Sequence, residues 1–99
     1  MIVVKIIDYA GSFAENKDVA SDIRTKHLAP ALEKGENNIV IDFKDVTGAT
    51  QSFVHALVSD LIRKYDSEVF TRIFFKNCNA SVEQVINIVA DYMEESKYS

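Results

Sequence analysis

Apolar residues along the chain fall into two rhythms. In IVVKIID (2–8), NIVIDF (38–43) and TRIFFK (71–76) they are β-branched or aromatic, the composition of strands. From 54 to 65 the rhythm changes: Val54, Leu57, Val58, Leu61, Ile62 and Tyr65 recur at i, i+3, i+4, i+7, i+8 and i+11, one stripe along a helix. Val82, Val85, Ile86, Val89, Tyr92 and Met93 repeat that stripe in a later helix. Between 16 and 34 the stripe is Val19, Ala20, Ile23, His27 and Leu28, after which Pro30 predicts a kink or a split, because proline removes one backbone donor and crowds the preceding turn. Gly35 then closes the segment as a C-cap glycine would.

The order β-α-β-α-β-α implies parallel neighbouring strands joined by right-handed crossovers, hence an α/β fold with a small, mostly parallel or mixed sheet. One phase of each strand is apolar throughout: Ile2, Val4 and Ile6; Ile39, Ile41 and Phe43; Ile73 and Phe75. The alternate phase mixes Val3, Ile7, Val40 and Phe74 with Lys5, Asp42, Arg72 and Lys76. A sheet covered on both sides would be apolar in both phases, so the helices are expected to pack mainly on one face. On the open face, Lys5, Asp42 and Arg72 suggest a solvated ion-pair ladder. Val3, Ile7, Val40 and Phe74 offer an apolar patch for a homodimer or for a docked partner.

At 99 residues the chain is expected to form one domain, 1–99, with a modest core. Its formal charge of −4, with lysines and arginines dispersed among acids, argues against nucleic-acid binding. The single cysteine, Cys78, makes no internal disulfide and no metal-ligand spacing, which fits a reducing cytoplasm. MIVVKII reads as a strand rather than a signal peptide or membrane span, being seven residues long with a lysine inside.

In parallel α/β units, ligands favour the loops at the carboxyl ends of the strands. Here these are 8–16, 44–52 and 77–81, rich in hydroxyls and amides, and Ser12, Thr47, Asn77 and Asn79 are the candidates for an anion or nucleotide edge. The plainer duties of such residues are local. Ser12 with Glu15 and Ser81 with Gln84 fit capping boxes, and Thr50 or Ser52 suits the cap of the second helix. A phosphate loop would need more glycines and a following lysine, and the spaced glycines of a dinucleotide turn are missing. A receiver-type phosphoaspartate site would need paired acids, whereas Asp8 stands alone and Asp42 lies within its strand. Ser52, His55 and Ser59 fall on one side of the second helix but lack an orienting acid and oxyanion donors, so no catalytic residue is assigned. His27, on an apolar stripe, reads as a core-edge residue. Cys78, close to a helix start, is expected either to have a lowered pKa or to serve as a half-buried filler.

"IVIDFKDVTGATQSFVHAL", together with "GSFAENKDVASDIR", resembles the STAS-like family of small bacterial proteins, relatives of the STAS domains of anti-sigma factor antagonists. The resemblance runs over roughly 8 to 76. It implies helices stacked mostly on one face of the sheet and an extra strand, for which 9–14 and 66–70 are the candidate segments. It also implies a non-enzymatic, cofactor-free regulatory module that docks a protein partner, an ATP-binding kinase of the anti-sigma type, and is switched by serine phosphorylation. "TQSF" (50–53) stands where that family has aspartate-serine-serine-glycine. Ser52 is the surviving serine, with Thr50 and Thr47 as further phosphoacceptor candidates. Phe53 replaces a glycine and would crowd Ser52. The partner surface implied is Gln51, Ser52, Phe53, His55, Ser59 and Arg63. The alternatives that remain are a small-ligand or nucleotide domain using the loop edge, and a self-associating structural subunit.

Overall fold

The computed structural model describes the backbone of residues 1–98 and the side chains of residues 1–93. In chain order the elements are β1 (Ile2–Lys5), α1 (Ile6–Ala10), β2 (Phe13–Ala14), α2 (Lys17–Ile23), a π-helical segment (Arg24–Leu28) and α3 (Ala29–Glu33). They continue with β3 (Ile39–Asp42), β4 (Gly48–Ala49), α4 (Gln51–Tyr65), a 3-10 segment (Asp66–Thr71), β5 (Ile73–Lys76) and α5 (Ala80–Tyr98). β3 lies between β1 and β5, with both pairings parallel.

The register aligns like with like across the sheet. Ile2, Ile39 and Ile73 form one row, and Val4, Ile41 and Phe75 another, directed into a core that also holds Ile6, Ile23, Leu28, Phe43, Phe53, Val54, Leu57 and Val82. Burial of each such side chain contributes about 1.5–3 kcal/mol, which is why these rows fix the register. The alternate rows, Val3–Val40–Phe74 and Lys5–Asp42–Lys76, lie on the opposite face. Val3 is 45% and Phe74 37% exposed, so the expected one-sided packing of helices is what the fold adopts. α2 and α5 both pack on α4, on the covered side.

Several expectations need correction. The strand expected over 2–8 ends at Lys5, because the chain turns into α1 at Ile6, whose side chain is fully buried as part of a helix. Ile7 accordingly leaves the open face and packs against the core. The expected ion ladder does not form: no ion pair among the described residues joins Lys5, Asp42 and Arg72, and Arg72 Nη2 and Nε instead donate to the Leu32 and Glu36 carbonyls at 2.7 and 3.1 Å. Of the two candidate extra strands, Phe13–Ala14 forms a separate parallel ladder with Gly48–Ala49, whereas 66–70 is 3-10 helix.

Before Pro30 the first helical run is interrupted as expected, by the π-helical segment that divides α2 from α3, but it does not stop there. The turn widens: Ala29 N–H reaches back to the Arg24 carbonyl, five residues away. A wider turn gives room where a proline ring would otherwise crowd the carbonyl four residues before it, and the helical run continues to Glu33. Gly35 then ends it in a Schellman arrangement, with Glu36 N–H donating to the Ala31 carbonyl and Gly35 N–H to that of Leu32, both at 3.0 Å. The left-handed φ of +87° at Gly35 is why glycine suits that position.

Candidate functional site

At the carboxyl edge of the sheet the three loops are tied to one another. Thr47 donates twice to the Ser12 carbonyl, through its N–H at 2.7 Å and its hydroxyl at 2.9 Å. The Asn79 amide donates to the carbonyls of Thr47 at 2.9 Å and Val46 at 3.4 Å, while its Oδ1 accepts from Val82 N–H at 2.8 Å. Asn77 Nδ2 donates to Asp42 Oδ1 at 2.9 Å. Three of the four candidate anion-binding side chains, Thr47, Asn77 and Asn79, thus direct their donors into the fold, and Ser12 contributes a carbonyl acceptor. β2 and β4 complete the weave, with the Phe13 ring lying over Gly48 so closely that a Cβ there would sit 2.8 Å from it. The caps are asparagines rather than the expected serines: Asn16 Oδ1 accepts from Asp18 and Val19 N–H groups, and Asn79 performs the corresponding task for α5.

Thr50 caps α4, its hydroxyl accepting from Phe53 N–H at 3.1 Å. This leaves Gln51 and Ser52 exposed in the first helical turn. Phe53 points the other way and is fully buried, so it belongs to the core rather than to a partner surface and does not crowd the Ser52 hydroxyl from solvent. Ser59 is likewise only 4% exposed and is removed from the docking face. Its burial follows from what lies over that part of α4: Arg24 donates to the Ala56 carbonyl at 2.7 Å and pairs with Asp60 at 3.4 Å, bringing the first helical layer across. Arg63 is exposed, paired with Asp60 at 2.8 Å, and lies away from the first turn.

The remaining candidates come together in a cleft of about 460 Å³ lined by Lys17, Gln51, Ser52, His55, Ala56, Ile88, Val89 and Tyr92. Its polar end combines the first residue of α2 with the first turns of α4. Its apolar wall is α5, where Ile88 and Tyr92 are 42% and 60% exposed. Among the described residues, no hydrogen bond or ion pair engages the side chains of Lys17, Gln51, Ser52 or His55. The sequence pattern did not single out Lys17 or Ile88, and it placed Tyr92 on the buried stripe, which in fact runs Val82, Ile86, Val89, Met93. The available signal was the i, i+4 pair Ile88 and Tyr92, a second apolar line beside the first.

Two ionisable groups depart from their ordinary values. Asp42 is lowered, first by the Asn77 hydrogen bond and then by the Lys44 N–H and by Lys5 and Lys44, against a smaller opposing effect of desolvation. Cys78 is raised, chiefly by burial and further by Glu83 and Asp42. That reverses the expected lowering and fits the half-buried filler. His27 packs against Tyr9 with the rings tilted and their centroids 5.2 Å apart, beside a smaller hollow of about 200 Å³. Among the described residues there is no metal-binding group of His, Cys, Asp and Glu, and no helix long and apolar enough to cross a membrane.

A parallel three-stranded sheet with helices on one face defines a small α/β domain. The family model described as a STAS-like domain of unknown function (DUF4325) matches residues 19–83, and the chain belongs to that family. Searches of curated proteins and of solved structures give no significant match.

Proposed function

We propose that the domain is a non-enzymatic regulatory module that engages a protein partner through the cleft face of α4, with Ser52 as the residue a kinase modifies. The observation that supports this most directly is the exposed Ser52 hydroxyl in the first turn of a capped helix, beside unengaged Gln51 and His55 and facing the apolar wall of Ile88 and Tyr92. Resemblance to anti-sigma antagonists supplies the class of partner, an ATP-binding kinase-like protein. Phosphorylation would bring about two negative charges to the positive end of α4. Lys17 and His55 line the same cleft, and Ser52 stands outside the core, so the surface changes without unfolding. Among the described residues, no carboxylate lines the cleft to orient His55 toward Ser52, which favours docking over catalysis.

Phosphopeptide mapping of the chain isolated from its native host tests the modification, and pull-down with a Ser52→Asp, His55→Ala double variant tests the surface. The expected result is phosphate on Ser52 and partner recovery that changes in the double variant. Unmodified Ser52 together with identical partner recovery would overturn the reading. The loop edge is less favoured as a nucleotide site, since Thr47, Asn77 and Asn79 already donate internally.

A second reading, self-association through the open sheet face, is supported by exposed Val3 and Phe74, which flank Val40 in one row. It concerns a different surface from the cleft.

A further inference from the structure

We propose that the α4–α5 cleft binds a small amphipathic anion, an organic carboxylate or sulfonate with an aliphatic or aromatic body, independently of any protein docked over it. The cleft volume, about 460 Å³, is within the roughly 300–1,000 Å³ of small-molecule sites. Its two ends differ in chemistry. Ala56, Ile88, Val89 and Tyr92 give it an apolar body, and the exposure of Ile88 and Tyr92 shows that nothing in the described fold covers that wall.

The polar end is selective in sign. Among the described residues, Lys17 is the one full charge in the lining and no aspartate or glutamate lines the cleft, although the chain as a whole carries 15 acids against 11 lysines and arginines. Gln51, Ser52 and His55 line the same cleft, with donors left unengaged among the described residues. This contrasts with the loop edge, where the donors of Thr47 and Asn79 are already bonded to backbone carbonyls. An anionic head at Lys17 and a body against Tyr92 and Ile88 satisfies both ends at once. A cation would meet Lys17 without a counter-charge, and a wholly apolar molecule would leave the polar end dehydrated and unpaired. Occupancy would cover Ser52 and His55, which makes such a ligand a regulator of access to the α4 face.

Fluorescence titration with anilinonaphthalene sulfonate and calorimetry with decanoate, with decanol as the uncharged counterpart, test the proposal on the full chain. Circular dichroism and thermal melting confirm that each variant is folded. The expected result is saturable binding at one site, weakened about tenfold by Lys17→Glu and by Ile88→Asp, with decanol binding about tenfold more weakly than decanoate. If Ile88→Asp does not melt cooperatively, Tyr92→Ala takes its place, since that side chain is the most exposed of the wall. Absence of saturable binding by both probes, or equal affinity of wild type and Lys17→Glu for decanoate, would overturn it.

Discussion

The carboxamide of Asn79 donates to the Thr47 carbonyl across 2.9 Å, joining the loop before α5 to the loop before α4. Its oxygen caps α5 at the same time through Val82 N–H. One side chain therefore positions two helix starts, and α4 carries the proposed docking turn. Asn79→Ala is expected to lower stability by about 1–2 kcal/mol, the usual cost of losing a cap. Asn79→Asp keeps the cap acceptor but loses the donor to Thr47, so denaturant titration should place it between alanine and wild type.

Asp42 and Asn77 give the domain a defined acid response. Because the folded pKa of Asp42 lies below its unfolded value, its stabilising contribution is complete above the unfolded pKa of about 3.9 and is lost as pH falls through the folded pKa. Asn77 sits at φ +58°, so Asn77→Gly removes the amide without imposing backbone strain. The Asp42 carboxyl, followed by NMR, should then titrate closer to its ordinary value. The loss of stability attributable to Asp42 in the acid range should shrink accordingly.

Ser52 and Ser59 are two turns apart on α4 and differ in what a negative charge would do to each. Ser52→Asp adds charge at the helix N-terminus in solvent and is expected to stabilise by about 0.3–1 kcal/mol at low salt. Ser59→Asp puts a carboxylate at a buried position and is expected to cost about 3 kcal/mol. Thermal melts that move in opposite directions would separate the surface turn from the buried one. Ser52→Asp should also weaken decanoate binding, since the new carboxylate lies beside Lys17 in the cleft.

At Gly35 the cost of substitution is purely conformational. A Cβ there would meet nothing within 4 Å, yet the φ of +87° is left-handed. Gly35→Ala should therefore destabilise by about 1–2 kcal/mol, and Gly35→Asn by less, as measured by chemical denaturation.

What the sequence made legible follows the range of the interactions involved. α4 could be read because its stripe extends over several turns, and one-sided packing could be read because Lys5 and Asp42 interrupt one phase of the strands. The α1 helix could not, because IVVKII offers the same apolar run to a strand and to a buried helical turn. Asn16 replaced Ser12 as a cap because 13–14 pairs with 48–49, a long-range ladder that consumes the residues in between. The site was half legible for a similar reason. Ser52 and His55 stand out along α4 itself, whereas Ile88, Tyr92 and Lys17 join them only once α2 and α5 pack on α4.

The open sheet face makes the last prediction. Val40 is 9% exposed at the centre of its row, flanked by Val3 and Phe74, so the patch is apolar but narrow. A stable interface buries about 800 Å² per partner, more than a three-residue row supplies. Any dimer formed here must therefore be weak and concentration-dependent, and the neighbouring Lys5–Asp42–Lys76 row limits how another sheet can approach. Sedimentation equilibrium should show a monomer at low concentration and partial dimer at high concentration, abolished by Phe74→Glu. Tyr92→Ala, in the cleft on the covered side, should leave that equilibrium unchanged. A monomer at every concentration would remove self-association from consideration, and a dimer sensitive to Tyr92 instead would move the contact from the sheet to the cleft.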